Sequence, residues 1–381
     1  MPLQIRLVHH GRSGYFSRRP LDFPHGRSRR PLLREGRMMR LKVAAAAALA
    51  VVIVSGPAWA QTVDGPELRW KLAAWGKPRA ATQNIEVLKK YVEEKSGGKF
   101  KIQLGYESFG GPKELLDLLK VGTLEMTNIC SSYHPEKLPA FSALDLPFLP
   151  IPDLDTQERV HLAFYKHPAI VKEFAGWNAM PFMSSILPTN EFVGRGKAPK
   201  TIDDFKGMRV RALAGIGEAM RKLGAVPTSV DATEVYTSLE RGAVDAAAFP
   251  TTYAHQSYRT YEVGKWYTEN MNLGNVACPT LINTEKWAAL PPQYKKLIQD
   301  AVPLAHAALK KAYAEADEKN IPLFKKKLEF IKFSADELAR FRKIGGEPVW
   351  EEWVAKRTAQ GIPARELLDL LLKEAGAKPR S

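Results

Sequence analysis

Strand-like and helix-like segments alternate along the first half of the chain, and this alternation limits the possible folds more than any other feature. A period-2 pattern predicts strands at 68–75, 100–106 and 124–130. The amphipathic segment 81–95 and the segment 112–121 predict helices between them. A β-α-β-α-β order favours a parallel sheet with helices on its faces.

A second series of the same kind follows in the middle of the chain. Strands are predicted at 208–213 and 244–249, with helices at 217–223 and 233–241. A long helical stretch then starts at Pro291-Pro292 and reaches roughly residue 320. Two α/β series joined in mid-chain predict two lobes, and a cleft between lobes is where such folds bind small ligands.

A short apolar run near the amino terminus predicts export. Basic residues between 37 and 42 precede the 12 apolar residues 43–54, and Ala58-Trp59-Ala60 offers a small-residue cleavage site. The run is shorter than the roughly 20 residues that span a bilayer, so we expect no stable membrane insertion. We predict a signal peptide at 38–60, and we interpret 1–37 as a disordered stretch upstream of the true start.

The distribution of charge and the absence of catalytic motifs exclude several classes of function. Residues 1–60 carry +9 of the formal net charge of +15, so the remaining chain is only moderately basic and no nucleic-acid partner is expected. No G-x-S-x-G, H-E-x-x-H, Walker A or G-x-G-x-x-G motif follows the leader. The sequence thus predicts no cofactor, no metal site and no catalytic residue. An exported enzyme or sensor domain that recognises a small organic acid remains an alternative.

The two cysteines leave one question open. Cys130 and Cys278 lie 148 residues apart and belong to no Cys-x-x-Cys pair, which argues against zinc or redox chemistry. In an oxidising compartment they could pair, but the spacing alone does not decide it.

One arginine stands at a position suited to binding an anion. In a period-2 strand, Arg209 and Arg211 share one face, and we interpret Arg209 as a solvated side chain. Arg211 ends the strand beside a turn that contains Gly215 and Gly217, where the carboxyl ends of parallel strands face a crevice. A guanidinium there could clamp a carboxylate with two parallel N–H···O bonds. The residues alone leave the binding and solvated roles equally open.

A set of short motifs resembles the substrate-binding proteins of tripartite ATP-independent periplasmic (TRAP) transporters, the DctP-like family. The resemblance covers essentially all of residues 65–350. Its motifs are Thr-Ile-Asp-Asp-Phe-Lys-Gly-Met-Arg-Val-Arg at 201–211, Leu-Gly-Ala-Val-Pro at 223–227, the segment 234–246, Gly-Thr-Leu-Glu-Met at 122–126, Asp-Leu-Pro-Phe-Leu at 145–149 and Trp-Ala-Ala-Leu-Pro at 287–291.

The resemblance implies an α/β, two-lobed periplasmic-binding-protein-like fold with a ligand cleft between the lobes and a long hinge-spanning helix. We expect lobe I to comprise 61–187 plus about 275–320, and lobe II 188–274 plus about 321–381. A periplasmic protein of this family closes around a small organic acid and delivers it to the permease subunits of its membrane transporter. The resemblance also implies that Arg211 pairs with the carboxylate of the ligand.

The other candidate ligand-binding residues follow strands or differ from the family pattern. Glu191 stands about where members that bind dicarboxylates or sialic acid often have a second arginine, and Phe249 replaces an amide. One cationic anchor with apolar neighbours suits a monocarboxylate, aromatic or branched, better than a dicarboxylate. Arg195 and Lys197 leave a second cation possible. The full predicted set is Trp75, Ser131, Tyr133, Asn190, Glu191, Arg211, Phe249 and Tyr253.

Overall fold

In a computed structural model, the protein is described for residues 62–377, which lie within one compact unit. The predicted signal peptide at 38–60 and the interpretation of 1–37 both fall outside the described residues. Within 62–377, no helix combines the length and the apolar character that crossing a membrane requires.

Eleven strands in the described part of the chain form two sheets. The strands are β1 (Leu68–Ala74), β2 (Phe100–Tyr106), β3 (Met126–Asn128), β4 (Ala179–Ser184), β5 (Asn190–Gly194), β6 (Arg209–Arg211), β7 (Val226–Thr228), β8 (Ala246–Pro250), β9 (Trp266–Thr268), β10 (Pro279–Asn283) and β11 (Glu329–Ile331). The first sheet has the order β2-β1-β3-β10-β4, and the second has the order β11-β9-β5-β8-β6-β7. We call the parts of the molecule built on these sheets the first and second lobes.

The chain passes between the sheets more than once. After β1–β4 in the first sheet and β5–β9 in the second, β10 returns to the first sheet and β11 to the second. Each sheet is mainly parallel, with β10 antiparallel to β3 and β4, and β5 antiparallel to β8 and β9. This is the two-lobed α/β architecture expected from the alternation, whereas the exact residue limits of the lobes stay a prediction.

Helices cover the faces of both sheets. They are α1 (Gln83–Lys95), α2 (Leu115–Lys120), α3 (Leu154–Phe164), α4 (Pro168–Ala175), α5 (Ala214–Lys222), α6 (Val235–Glu240), α7 (Tyr253–Ser257), α8 (Thr260–Val263), α9 (Thr284–Ala289), α10 (Pro292–Lys327), α11 (Ala335–Gly345), α12 (Glu347–Thr358) and α13 (Ala364–Glu374). Short 3-10 turns occur at Ala80–Thr82, Ser131–Tyr133, Phe141–Asp145, Ile202–Phe205 and Ala232–Glu234.

The pattern of α1 shows how the first lobe obtains its core. Ile85, Leu88 and Val92 recur at helical spacing and are fully buried in a core that also takes in Trp70 and Tyr294. The helix ends before the Gly97-Gly98 pair, both of which adopt positive φ (60° and 78°), a conformation that glycine adopts without steric cost.

Two helix predictions were wrong in their limits. The sequence pattern at 158–175 predicts a single helix, but the structure has two, because Pro168 forces the residue before it out of the helical region and itself begins α4. His167 caps this second helix by accepting a hydrogen bond from the Ala169 N–H. In contrast, α10 continues through Pro303 and Pro322 to Lys327, beyond the predicted end near residue 320.

The two lobes meet closely at the start of α5. A Cβ atom built on Gly215 would lie 2.7 Å from Pro147 Cδ and 3.0 Å from Leu146 Cα, and closer still to the carbonyl oxygen of Asp145. Asp145 is fixed to the first lobe, because its carboxylate accepts hydrogen bonds from the Ser131 hydroxyl and the Ala277 N–H. A residue without a side chain is therefore required at this interlobe contact.

Candidate anion-binding cavity

A small cavity, which we call the interlobe cavity, lies where the carboxyl ends of strands from both sheets meet. Trp75 and Tyr133 follow β1 and β3 of the first sheet, whereas Arg211 ends β6 and Phe249 lies in β8 of the second. Its volume is about 40 Å³, counted as positions open to the centre of a water molecule. A water needs roughly 10–15 Å³ on this measure, so the cavity suits a small ligand.

Arg211 is a buried cation in this cavity. It is 4% exposed, and its guanidinium donates from Nε to the Val230 carbonyl oxygen (3.1 Å) and from Nη1 to that of Ala248 (2.8 Å). Its Nη2 donates to the hydroxyl of Tyr133 (3.1 Å). Within 62–377, Arg211 has no carboxylate at ion-pair distance. Of its five N–H groups, one on Nη1 and one on Nη2 remain available.

The Tyr133 hydroxyl supplies a third donor. Its oxygen accepts from Arg211 Nη2 and from the Ala232 backbone N–H, both at 3.1 Å. A phenolic oxygen has two lone pairs, so its own proton is left to donate. Two guanidinium N–H groups and one O–H group are thus left at a buried cavity, and these are donors from which a carboxylate accepts strong hydrogen bonds. Because Tyr133 follows the first sheet and Arg211 the second, an anion bound here would bridge the lobes.

Aromatic rings form the walls next to this anion site. The Cζ atom of Arg211 lies 4.4 Å from the centre of the Phe249 ring, and that ring stacks on Tyr258 at 5.1 Å and 14°. On the other side, Trp75 and Tyr133 meet edge to face at 5.7 Å. These flat, mainly apolar surfaces favour a ligand with a flat or apolar body.

The second cation of the cavity is Arg79, which sequence reasoning missed. It lies in the loop between β1 and α1, with its Cζ 4.4 Å from the Trp75 ring. Arg195 and Lys197, the expected sources of a second cation, do not line the cavity. Its position in the sequence could have indicated this role, because Arg79 follows the predicted strand at 68–75 by four residues, at the sheet edge that also carries Trp75.

Most of the predicted binding residues come together here. Six of the eight line the interlobe cavity, namely Trp75, Tyr133, Asn190, Arg211, Phe249 and Tyr253. The amide nitrogen of Asn190 donates to the Gly274 carbonyl oxygen at 3.0 Å. Their contact with a ligand stays a prediction.

The other two predicted residues, Ser131 and Glu191, do not line the interlobe cavity. The Ser131 hydroxyl turns away to donate to the buried carboxylate of Asp145, and its neighbour Ser132 lines the cavity instead. The carboxylate of Glu191 points into the second lobe, where it accepts from the Thr268 hydroxyl (2.6 Å) and from the N–H groups of Met271 (3.1 Å) and Asn272 (2.8 Å).

Burial changes the pKa of the Glu191 carboxyl group. Full burial raises the pKa of Glu191 to about 7, against the lowering effect of its three hydrogen bonds. Burial likewise raises the pKa of Asp145 to about 7. Both carboxyl groups thus bind protons more tightly in the folded protein than in the unfolded chain.

Cys130 and Cys278 form a disulfide, which answers the question that the spacing left open. Cys130 lines the cavity, so the bond ties its wall after β3 to the segment before β10. No group of three or more His, Cys, Asp or Glu side chains in residues 62–377 is arranged to hold a metal ion.

A larger groove of about 950 Å³ beside α10 is a weaker candidate site. Its lining mixes acidic and basic side chains, including Asp153, Asp317 and Lys310. Lys310 is already paired with Glu158 at 2.6 Å. Among residues 62–377, in contrast, the interlobe cavity is lined by two arginines and by no acidic side chain.

Comparison with known proteins agrees with this architecture. The family model described as "Bacterial extracellular solute-binding protein, family 7" matches residues 74–357. The monocarboxylate 2-oxoacid-binding periplasmic protein of Nostoc sp. is 26% identical over 260 residues, which cover 65% of this chain and 69% of that protein. The C4-dicarboxylate-binding periplasmic protein DctP of Rhodobacter capsulatus is 26% identical over 262 residues, covering 66% and 75%.

A solved structure gives the same result for the fold. The TRAP solute-binding protein of Rhodoferax ferrireducens, in complex with copurified benzoate, superposes with a TM-score of 0.72 at 21% identity, covering 81% of this chain and 97% of that one. The family model spans about three quarters of the sequence and both sheets of the two-lobed fold. This chain therefore belongs to family 7 of the bacterial extracellular solute-binding proteins.

Proposed function

We propose that this protein captures a small organic monocarboxylate in the interlobe cavity and delivers it, in the periplasm, to the permease subunits of a TRAP transporter. The observation that carries the proposal is the buried guanidinium of Arg211. It has two unused N–H groups, an adjacent Tyr133 hydroxyl, and no carboxylate partner in the described chain.

Burial of this cation explains how binding and closure are coupled. A buried charge without a counter-ion is costly, so the closed arrangement is favoured when an anion occupies the cavity. Closure also removes water, which lowers the local dielectric and strengthens the ion pair. The carboxylate bridges Arg211 of the second lobe and Tyr133 of the first, and it thereby holds the lobes together.

The charge balance favours a monocarboxylate. Arg211 is the cavity's deeply buried cation, whereas Arg79 is partly exposed and keeps water around part of its charge. One negative charge therefore neutralises the buried positive charge, and the walls of Phe249 and Trp75 suit an uncharged body. The monocarboxylate-binding relative of Nostoc and the benzoate complex of Rhodoferax are compatible with this assignment. Because the relative of Rhodobacter binds C4-dicarboxylates, a dicarboxylate is the alternative ligand to be tested.

A thermal-shift screen of the mature chain against organic acids tests the proposal. A bound acid raises the melting temperature by mass action, without any reaction. We expect monocarboxylates with flat or branched bodies to stabilise the protein more than C4-dicarboxylates. A screen in which no acid shifts the melting temperature, or in which only neutral solutes do, contradicts the proposal.

The alternative of an exported enzyme has less support. In the described part of the chain, no histidine, aspartate or glutamate lines the interlobe cavity, so these residues offer no ordinary general base. His255 lies behind Phe249, where its ring nitrogens contact Thr260 Oγ1 and the Glu191 carbonyl oxygen. Proton NMR of a stabilising acid incubated with the protein separates the two: an unchanged spectrum supports binding alone, and a new product supports the enzyme.

A further inference from the structure

Three side chains of the interlobe cavity each leave a buried polar atom without a partner in residues 62–377. These atoms are Trp75 Nε1, Ser132 Oγ and the Tyr258 hydroxyl oxygen. A buried polar group without a hydrogen bond destabilises the folded protein, and native proteins rarely leave several together. Because all three side chains line the same cavity, we take them as groups that a bound ligand satisfies.

Two of these groups lie beside Arg79. Its Cζ is 4.4 Å from the centre of the Trp75 ring and 5.9 Å from that of Tyr258. The Nη1 atom of Arg79 donates to the carbonyl oxygens of Trp75 and Lys77, whereas its Nε and Nη2 have no hydrogen-bond partner in the described chain. We call Trp75, Arg79 and Tyr258 the distal group, which holds several unused donors.

The distal group stands across the aromatic walls from the anion site. Along one wall, Arg211 lies 4.4 Å from the Phe249 ring, which lies 5.1 Å from Tyr258. Along the other, Tyr133 lies 5.7 Å from Trp75. A molecule about one aromatic ring long, held by a carboxylate at Arg211, would bring its opposite end to the distal group.

We infer that the ligand is an oxygenated monocarboxylate whose hydroxyl or oxo group, at the end opposite the carboxylate, accepts hydrogen bonds from the distal group. This inference rests on the proposed function and adds a second recognition element. A neutral oxygen fits better than a second carboxylate, because Trp75 Nε1 and Tyr258 are neutral partners and Arg79 is already partly solvated. Burying another full charge here would cost more than burying a hydroxyl.

Calorimetric titration with acids that differ by one group tests the inference. The probes are benzoate, 3-hydroxybenzoate, 4-hydroxybenzoate and the dicarboxylates isophthalate and terephthalate. For the wild-type protein we expect the better hydroxybenzoate to bind at least about tenfold more tightly than benzoate, the effect of leaving a buried donor unpaired.

Conservative variants show whether the distal group binds the hydroxyl or oxo oxygen opposite the carboxylate. Trp75→Phe and Tyr258→Phe each remove one polar atom and keep a ring, so each should reduce the hydroxybenzoate-to-benzoate preference towards one. Tyr91→Phe, which makes the same change on α1 outside the cavity, should keep the preference.

The outcomes separate the two proposals. Benzoate binding that equals hydroxybenzoate binding, tighter binding of either dicarboxylate, or an unchanged preference in both cavity variants overturns the oxygenated-acid inference while the carboxylate site stands. Failure of every probe to bind overturns the inference alone, because the proposed function also admits branched acids. Binding that is unaffected by Arg211→Ala overturns the proposed function together with the inference.

Discussion

Substituting Gly215 by alanine should weaken ligand binding without changing any residue that lines the interlobe cavity. Gly215 lies at the start of α5, against the Asp145–Pro147 segment of the first lobe. A Cβ atom there would press on two backbone atoms and on the Pro147 ring, none of which is the end of a movable side chain. In an open arrangement of the lobes the clash is relieved, and alanine even favours the helix by about 1 kcal/mol.

The expected size of the effect follows from the packing. Overfilling a close contact costs roughly 1–3 kcal/mol, and here that cost falls on the closed state alone. The lobes therefore shift towards the open state, and the apparent dissociation constant rises by roughly 5- to 150-fold.

Gly217→Ala is the matched control. The added Cβ would lie 2.9 Å from the Ala212 carbonyl oxygen and 3.5 Å from Pro227 Cβ, both in the second lobe. That variant should lose stability in both arrangements and bind with far less change in affinity. Calorimetry with the most stabilising acid measures affinity, and small-angle X-ray scattering with and without it measures closure. Equal affinity and equal compaction in Gly215→Ala and wild-type protein would refute closure at this contact.

Three further variants test other parts of the structure. Glu191→Gln removes a carboxyl group whose raised pKa makes the stability of the wild-type protein fall as pH rises from about 4.5 to about 7. In urea unfolding, the free energy of unfolding of the variant relative to that of the wild type should therefore rise by about 2–3 kcal/mol between pH 5 and pH 8. A difference that does not depend on pH contradicts the burial argument. Replacing Cys130 and Cys278 by serine opens a loop of 148 residues and should cost about 2–5 kcal/mol of unfolding free energy, as should reduction of the wild-type protein. Tyr133→Phe removes one donor to the ligand and should weaken acid binding by about tenfold in calorimetry; unchanged affinity would remove Tyr133 from the site.

Local sequence pattern predicted the architecture because each strand and helix carries its own periodicity. The strands Phe100–Tyr106 and Ala246–Pro250 and the helix Gln83–Lys95 lie close to where the pattern indicated. The return of β10 to the first sheet depends on contacts between residues far apart, such as Leu281 with Thr127, which no local window reveals. The predicted limits of α3 and α4 were wrong because Pro168, a local signal for the start of a helix, was not used.

The sequence could predict those residues of the candidate site that are polar or charged and stand at the end of a predicted strand. Arg211 ends one strand and Tyr133 follows another, and because the carboxyl ends of these strands meet, the two side chains converge. Arg79 and Tyr258 belong to a loop and a helix end, and their side chains reach the cavity through three-dimensional packing alone. Ser131 and Ser132 differ by one residue, and the short 3-10 turn there decides which of them faces the cavity.

The central claim is that Arg211 neutralises the carboxylate of the ligand, and calorimetry on Arg211→Ala and Arg209→Ala tests it most directly. Both variants remove a guanidinium from β6, but Arg209 is exposed and already paired with Asp245 at 2.6 Å. The account predicts that Arg211→Ala loses at least about 2 kcal/mol of binding free energy for the most stabilising acid, about 30-fold in affinity, while Arg209→Ala changes it little. Equal affinity in the two variants would contradict it.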